Sequence, residues 1–286
     1  MRLLDRLLVL PQHLLPQRAL SAAVNRLTRA EGALVSPAIR AFCAAYGVDL
    51  SEAVDTGQAY RSFNQFFTRA LRADARPVAD APGIVVSPAD GAISQLGSLD
   101  RGRLLQAKGK SFALSALLAG DEALSRQLDG GRFVIVYLSP RDYHRVHAPF
   151  DCAVRSVRYV PGRLFSVNDR TSQVIDGLYA RNERLVLSCD SEWGPCAVVM
   201  VGAMLVSAME LRCCDVPSLA QPGGVTVAPL ADPVRYARGE EIGRFNMGST
   251  VILALPATAP DWLPFLANGT PVRMGQSLSQ LAATAS

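Results

Sequence analysis

Apolar residues recur at roughly helical spacing over the first 72 residues of the chain. Leucines fall on one side of residues 1–30, and two prolines divide that stretch into short helices. Further helices are predicted over Pro37–Tyr46 and over Ala59–Leu71, where three phenylalanines lie on adjacent faces and should dock the helix onto the rest of the protein.

From Ile84 onward the pattern changes to short apolar runs separated by glycine, proline and aspartate. Each run predicts a strand, and the runs are Ile84–Val86, Phe133–Leu138, Val154–Val160, Leu185–Leu187, Ala197–Val206, Gly224–Val227 and Val251–Leu255. A helical patch, Ala113–Leu128, interrupts them, and Pro217–Pro233 is predicted as an exposed loop. The predicted fold class is α+β, with N-terminal amphipathic helices over residues 1–72 and a mainly antiparallel, β-rich domain over residues 73–286.

The longest uncharged run, Trp193–Met209, is short for a membrane span. It contains two glycines and a proline and is rich in β-branched residues, which favours a buried strand. We therefore expect no transmembrane segment.

The chain has 286 residues, 49% of them hydrophobic and 19% charged, with a net charge of +4. The whole excess of positive charge lies in residues 1–30, where five arginines are opposed by Asp5 alone. Leucines on one side and arginines on the other are typical of helices in a membrane interface, where each basic residue contributes about 1 kcal/mol on anionic lipid. We expect this segment to lie on an anionic membrane surface without crossing it.

Other readings of the N-terminal segment are possible. A signal peptide is disfavoured because Asp5 and Arg6 interrupt the apolar run and no small-residue cleavage site follows. An amphipathic helix packed on its own domain would show the same pattern and stays open. Nucleic acid is not an expected partner, because the basic residues alternate with leucines and not with stacking aromatics.

Cysteine and histidine patterns argue against a metal site. The six cysteines show no repeated spacing and are predicted to be reduced thiols of a cytoplasmic protein. The three histidines are His13, His144 and His147. The last two would still need a third ligand, and Pro149 disfavours a helix that could bring both to one face.

A candidate for self-cleavage is the Gly248-Ser249 bond. A serine hydroxyl can attack the carbonyl that precedes it, and glycine leaves that carbonyl unshielded by a side chain. Gly-Ser-Thr alone is a common tripeptide, so the rest of the sequence must decide.

Six sequence blocks, in order, resemble the phosphatidylserine decarboxylases. The blocks are Phe63–Arg69, Ser87–Gly91, Lys108–Phe112, Leu138–Pro149, Asn182–Arg184 and the Gly-Ser-Thr run that ends at Thr250. One difference is Met247, where the family usually has leucine, and this exchange keeps size and apolarity.

The resemblance implies a proenzyme that cuts itself between Gly248 and Ser249. Asp90 and His147 match the family's carboxylate and base, so the implied charge relay is Asp90, His147 and Ser249. The products would be a large chain of residues 1–248 and a small chain of residues 249–286, which begins with a covalent pyruvoyl group derived from Ser249.

The same resemblance implies a Schiff base between the pyruvoyl group and the amine of phosphatidylserine, through which carbon dioxide leaves and phosphatidylethanolamine forms. His144 is the candidate acid that protonates the α carbon of the substrate. A homodimer of processed protomers, peripheral on the cytoplasmic face of the cell membrane, is also implied. Six cations are candidates to bind the phosphate, and the sequence does not rank them. They are Arg61, Lys108, Lys110, Arg141, Arg145 and Arg163.

Two other functions fit parts of the pattern. Asp90, His147 and Ser249 could act as a serine hydrolase on an external ester or amide, although Ser249 lacks the Gly-x-Ser-x-Gly context. A non-enzymatic membrane adaptor would explain the N-terminal helices but not the six blocks.

Overall fold

The computed structural model describes residues 9–55, 57–107, 110–204, 208–216 and 224–280. The helical region comprises a 3₁₀ turn at Leu10–His13 and three helices, α1 (Gln17–Arg29), α2 (Val35–Tyr46) and α3 (Phe63–Phe67). Pro11 and Pro16 stand at the helix starts, as the sequence predicted. The leucines and arginines predicted to be helical before residue 9 lie outside the described residues.

Helices α2 and α3 have local signals at their ends. α2 ends at Gly47, a left-handed residue with φ of 66° whose amide donates to the carbonyl of Cys43. α3 begins after Ser62, whose side chain accepts from the amide of Gln65. The predicted helix over residues 59–71 was too long, because the chain beyond α3 turns away and its amide at Arg72 donates to the carbonyl of Glu52.

The sheet region follows α3 and is nearly all antiparallel. Its strands are β1 (Gly91–Ser98), β2 (Arg103–Ala107), β3 (Lys110–Ala113), β4 (Arg132–Leu138), β5 (Arg145–His147), β6 (Cys152–Val160), β7 (Arg184–Ser191), β8 (Gly194–Val201), β9 (Met209–Leu211), β10 (Thr226–Tyr236), β11 (Glu241–Phe245), β12 (Ser249–Leu255) and β13 (Pro271–Val272). The largest sheet has the order β10-β6-β7-β8-β12-β4-β1-β13, a second has the order β5-β11-β9, and β2 and β3 form a hairpin. The predicted α+β class is confirmed.

Four short helices pack beside these strands, namely α4 (Leu114–Leu117), α5 (Glu122–Gln127), α6 (Asp169–Val174) and α7 (Leu178–Arg181). The single helix predicted over residues 113–128 is therefore divided into α4 and α5. The left-handed residues Ala119 and Gly120 separate them.

Two predictions about strands and loops were wrong. Ile84–Val86 is not a strand and makes one isolated bridge, between Val86 and Ser277. The predicted loop Pro217–Pro233 overlaps β10, whose pairing with β6 shifts register between Pro229 and Val234. β10 is an edge strand, which tolerates proline because one side of its backbone has no ladder partner. Residues 217–223 of that loop lie outside the described residues.

Strand β12 occupies the middle of the largest sheet, and all seven of its residues are buried. Its neighbours are β4 and β8. The apolar run around residue 200 was predicted to be a buried strand, and this is confirmed for Gly194–Val201. A smaller apolar cluster joins α2 to α3 through Val35, Ile39, Phe66 and Phe67. Met247, just before β12, contacts both this cluster and the core of the sheet.

Helix α1 buries polar residues and exposes leucines. Its buried residues are Gln17, Ser21 and Thr28, whereas Leu27 is 74% exposed. Gln17 accepts from the amide of Leu164, which docks this helix by a polar contact. None of the helices in the described ranges is long and apolar enough to cross a bilayer.

Candidate active site

The Gly248-Ser249 bond lies where β12 begins, inside the protein. Ser249 pairs with Leu138 of β4 and is fully buried. Its hydroxyl oxygen has no hydrogen-bond partner in the described structure, and the hydroxyl of the adjacent Thr250 has none either. Buried polar atoms are nearly always hydrogen-bonded, so the unpaired hydroxyl of Ser249 makes this bond a candidate reactive site.

His144 presents a free nitrogen to this bond. A Cβ placed on Gly248 would lie 3.7 Å from His144 Nε2 and 3.6 Å from the carbonyl oxygen of Leu138. His144 Nδ1 donates to the carbonyl of Asp142 at 2.7 Å, so Nε2 carries the lone pair, and it has no partner among the described residues. His144 can therefore accept a proton at Nε2.

The surroundings of His144 keep it neutral. Burial lowers the pKa of His144 to about 3, although the hydrogen bond to the Asp142 carbonyl acts in the opposite direction. The ring of Phe67 packs against the imidazole with centroids 4.1 Å apart. His144 is thus a neutral acceptor in this state, and donating a proton would require that it first gain one.

Asp142 shapes the turn that leads into His144. Its carboxylate accepts from the amide of Ser139 at 2.6 Å and from the hydroxyl of Ser139 at 2.7 Å. Burial raises the pKa of Asp142, while these hydrogen bonds act to lower it. The turn fixes the backbone carbonyl to which His144 is bonded.

His147 occupies the end of β5 and is oriented by two partners. Its Nδ1 donates to the carbonyl of Gly239 at 2.7 Å, and its Nε2 lies 3.0 Å from the hydroxyl of Tyr143, which then donates to it. Gly239 has a φ of 85°, a left-handed conformation that suits glycine in the turn presenting this carbonyl. Burial lowers the pKa of His147, whereas the bond to Gly239 and the charge of Glu241 raise it.

Asp90 is held by a buried ion pair. Arg76 Nε donates to its two carboxylate oxygens at 2.9 and 3.0 Å, and Arg76 Nη2 donates to Oδ2 at 2.5 Å. The amide of Met274 adds a bond to Oδ1 at 2.8 Å. The next residue, Gly91, packs so closely on β4 that a Cβ would collide with the carbonyl of Tyr137.

Of the predicted relay residues, the structure places Asp90 and His147 near each other without linking their side chains. The amide of His147 donates to the carbonyl of Pro88 at 2.8 Å, which places the Asp90 loop beside β5, and the charge of Asp90 acts to raise the pKa of His147. Their side chains make no hydrogen bond to each other, and His147 makes none to Ser249. The side chain that faces Gly248 is that of His144.

Two residues at this site were missed in the sequence. Tyr143 stands in the same block as the histidines, and Arg76 follows the helical region, but neither position signalled a partner. Contacts across the fold are needed to pair Arg76 with Asp90. Burial raises the pKa of Tyr143, so its hydroxyl keeps the proton that it donates to His147.

A cavity of about 210 Å³ reaches Ser249. Its lining comes from α2, from the end of α3 and from the strands around β12, and it comprises Phe42, Tyr46, Phe67, Tyr137, Leu138, Pro140, Ser166, Val167, Ala203, Met204, Met247, Gly248 and Ser249. The walls are mostly apolar, so a small group next to Ser249 would be poorly hydrated. Within the described ranges, no group of three or more histidine, cysteine or acidic side chains could hold a metal ion.

Several candidate phosphate-binding cations already have partners. Arg145 pairs with Glu241 at 2.8 Å and Lys110 with Asp176 at 2.6 Å. Arg163 donates to the carbonyl of His13 and lies over a phenylalanine ring. Lys108 lies outside the described residues.

Comparison with known proteins gives a consistent result. A family model described as phosphatidylserine decarboxylase matches residues 63–280, and a second, described as PSD, matches residues 7–47. Relatives named phosphatidylserine decarboxylase proenzyme occur in Azotobacter vinelandii, 47% identical over 96% of this chain and 98% of the relative, and in Delftia acidovorans, with the same identity and coverage. The relative of that name in Nitrosococcus oceani is 48% identical over 98% of this chain and 93% of its own length.

Proposed function

The chain belongs to the phosphatidylserine decarboxylase family, and from this premise we propose that it is a self-cleaving enzyme that converts phosphatidylserine to phosphatidylethanolamine. The observation that carries the proposal is the geometry at Gly248-Ser249. A buried serine hydroxyl without a partner, a preceding residue without a side chain and a neutral imidazole nitrogen occur together. These are the parts that serinolysis requires.

Self-cleavage would begin with the hydroxyl of Ser249. A base takes its proton, the oxygen attacks the carbonyl carbon of Gly248, and the peptide C–N bond breaks as the ester forms and the amine gains a proton. Elimination then releases the carboxylate of Gly248 and leaves a dehydroalanine. Addition of water and loss of ammonia convert this to a pyruvoyl group, so the chains are residues 1–248 and 249–286.

The base in this step is assigned to His147, with Asp90 and Ser249 completing the relay, on the family resemblance. His147 would have to exchange the hydroxyl of Tyr143 for that of Ser249. Asp90, held in place by Arg76, would act on His147 through its charge, which favours the imidazolium that forms. His144 offers a second route, because its free Nε2 already faces Gly248.

The pyruvoyl group fits this site, because the residue from which it derives is buried next to Gly248, which His144 faces, and lines an apolar cavity. Once formed, it supplies an electron sink for the electrons left by departing carbon dioxide. The apolar walls around Ser249 would exclude water from the carboxylate that is lost. His144, once protonated, would deliver its Nε2 proton to the α carbon of the substrate.

The membrane surface is the proposed location of the substrate. Leu14, Leu27 and Leu34 are 90%, 74% and 81% exposed, while the polar side of α1 contacts the protein. Exposed leucines beside arginines favour insertion into the interface of an anionic bilayer. We propose a peripheral protein on the cytoplasmic face, consistent with six free thiols, and a homodimer of processed protomers on the resemblance alone.

Intact mass spectrometry of the purified protein tests the proposal. Two chains divided after residue 248, with a borohydride-sensitive pyruvoyl group on the smaller one, are expected, together with release of carbon dioxide from phosphatidylserine. A stable single chain labelled by a serine-directed probe would instead support the serine hydrolase. The present geometry does not favour that alternative, since Ser249 is fully buried and lacks a hydrogen-bonded base.

A further inference from the structure

We propose that Arg69 binds the phosphodiester of a phospholipid headgroup, in a polar cavity beside the active site. The inference deepens the proposed function and rests on it for the identity of the lipid. Its basis is a buried cation that the protein leaves without an anion.

Arg69 follows α3 and is only 6% exposed. Its Nε has no hydrogen-bond partner, and its Nη2 reaches only the carbonyl of Arg141, at 3.5 Å. The guanidinium lies 5.4 Å from the ring centre of Phe66, and no carboxylate lies within ion-pair distance among the described residues. Burial lowers the pKa of Arg69, as expected for a cation removed from water.

The other buried arginines of the described structure are satisfied. Arg76 binds two carboxylates, those of Asp90 and Glu52. Arg184 donates to four backbone carbonyls with all three of its nitrogens. A buried charge without such partners is costly, so Arg69 is the arginine whose environment is completed by an added anion.

The space for that anion is a cavity of about 450 Å³ lined by Arg69, Arg141 and Arg273. The side chains of Arg141 and Arg273 are each 68% exposed; Arg141 lies 3.9 Å from Asp142, and Arg273 pairs with Glu52 at 3.2 Å. Four carboxylates also line the cavity, and each already has a partner. Arg76 binds those of Asp90 and Glu52, that of Asp142 accepts from Ser139, and that of Asp49 accepts from the amide of Ser51. A planar guanidinium donates two parallel hydrogen bonds to phosphate oxygens, which suits this chemistry.

Arg69 is coupled structurally to the active site. Phe67, two residues earlier, packs on His144, and the carbonyl of Thr68 accepts from Arg145 Nε at 3.0 Å. The positive charge of Arg69 acts to lower the pKa of His144. The turn that contains Asp142 lines this polar cavity, while Phe67 and Pro140 line the apolar cavity at Ser249, so both cavities border these two segments of the chain.

For Arg69, the phosphodiester of the lipid is a better ligand than the substrate carboxylate on chemical grounds. A guanidinium bound to the substrate carboxylate would stabilise the ground state and oppose loss of carbon dioxide. The phosphodiester keeps its charge throughout the reaction, so binding it costs the chemical step nothing. It can come from the substrate itself or from a neighbouring anionic lipid, since both carry the same group.

The test compares Arg69→Gln, Arg69→Lys and the wild-type full chain in detergent micelles containing phosphatidylserine. Arg69→Gln should raise KM at least tenfold with little change in kcat, because binding is lost equally from ground and transition states. Arg69→Lys should recover part of the loss, since the charge remains. Arg72→Gln removes an exposed arginine from the same segment and should match the wild type.

Binding of soluble headgroups separates phosphodiester from carboxylate. Calorimetric titration with glycerophosphoserine and glycerophosphoethanolamine should show both weakened in Arg69→Gln. Weakening of glycerophosphoserine alone would assign Arg69 to the carboxylate and overturn the proposal. Added phosphatidylglycerol distinguishes the two lipid sources. If phosphatidylglycerol activates the wild type but not Arg69→Gln, and the two proteins have the same KM without it, the phosphodiester belongs to a neighbouring lipid.

Folding is monitored by thermal melting and by self-cleavage into two chains. Unchanged KM, headgroup binding and lipid activation in a folded, cleaved Arg69→Gln protein would overturn the inference. A wild-type protein that releases no carbon dioxide from phosphatidylserine would refute the proposed function instead, and the titrations would still report whether Arg69 binds a phosphodiester.

Discussion

His144 directs its unpartnered Nε2 towards Gly248, at 3.7 Å from the position that a glycine Cβ would occupy. His147, three residues later, has both ring nitrogens engaged, one by Gly239 and one by Tyr143. The two histidines of one sequence block therefore have different environments, which allows their roles to be separated.

The first prediction concerns these histidines. His147→Gln should leave an uncut chain of 286 residues without activity, because the proposed relay would lose its base. His144→Gln should still be cut, yet its decarboxylation should fall by about 100-fold as the proton donor is lost. Mass spectrometry and carbon dioxide release measure the two steps. An uncut His144→Gln chain would transfer the base role to His144.

Gly248→Ala should fold but cleave at least tenfold more slowly. The added methyl would be in ordinary contact with His144 Nε2 and the carbonyl of Leu138, so the strand can accept it, but it would shield the carbonyl that Ser249 is proposed to attack. Gly97→Ala is the matched control, because Gly97 lies in a strand, β1, and its added methyl would also be in ordinary contact, at 3.4 Å from the ring of Phe133. Equal cleavage rates in the two variants would contradict the steric argument.

Arg76→Met should destabilise the protein by about 3–5 kcal/mol, because it leaves the buried Asp90 carboxylate with the Met274 amide as its remaining partner. Urea unfolding of variants on a Ser249→Ala background measures this without interference from cleavage. Adding Asp90→Asn should restore part of the loss, since the uncompensated charge is removed. Additive losses in the double variant would show that the two residues do not stabilise each other.

Acid should destabilise the protein through its buried histidines. In the unfolded chain His144 has a pKa near 6.5, whereas the folded protein lowers it to about 3. The unfolded state therefore binds the proton first, and stability that is complete above about pH 6.5 is lost as the pH falls towards 3, by about 1.4 kcal/mol per pH unit. Unfolding free energies at pH 7.5, 6 and 5 should fall less steeply in His144→Gln than in the wild type.

The exposed leucines predict membrane binding that is independent of cleavage. Replacing Leu14, Leu27 and Leu34 with serine should weaken binding to anionic vesicles about tenfold or more, because less apolar surface enters the interface. Cleavage should proceed unchanged. Serine at Val225 and Val227, which are exposed on or next to β10, is the control and should leave sedimentation with vesicles unaltered. Full sedimentation of the triple variant would reject α1 and its neighbours as the anchor.

Much of the fold followed from local pattern. Val251–Leu255 and Phe133–Leu138 were predicted as strands because continuous apolar runs of that length suit strands buried on both faces, and they pair as β12 and β4. The error at β10 has a different cause. Pro229 and Pro233 resemble loop residues in sequence, and only the position of β10 at a sheet edge makes them compatible with a strand.

The sequence by itself determined the α+β class and the family, and it predicted the bond between Gly248 and Ser249 as the cleavage site, because each depends on residue types in a fixed order along the chain. Tertiary structure alone decided that Arg76 binds Asp90, that Tyr143 binds His147 and that Arg69 is buried without an anion. Such partners are selected by distance across the fold and by the cost of burying an unpaired charge. Neither quantity exists until the helices have packed on the sheet.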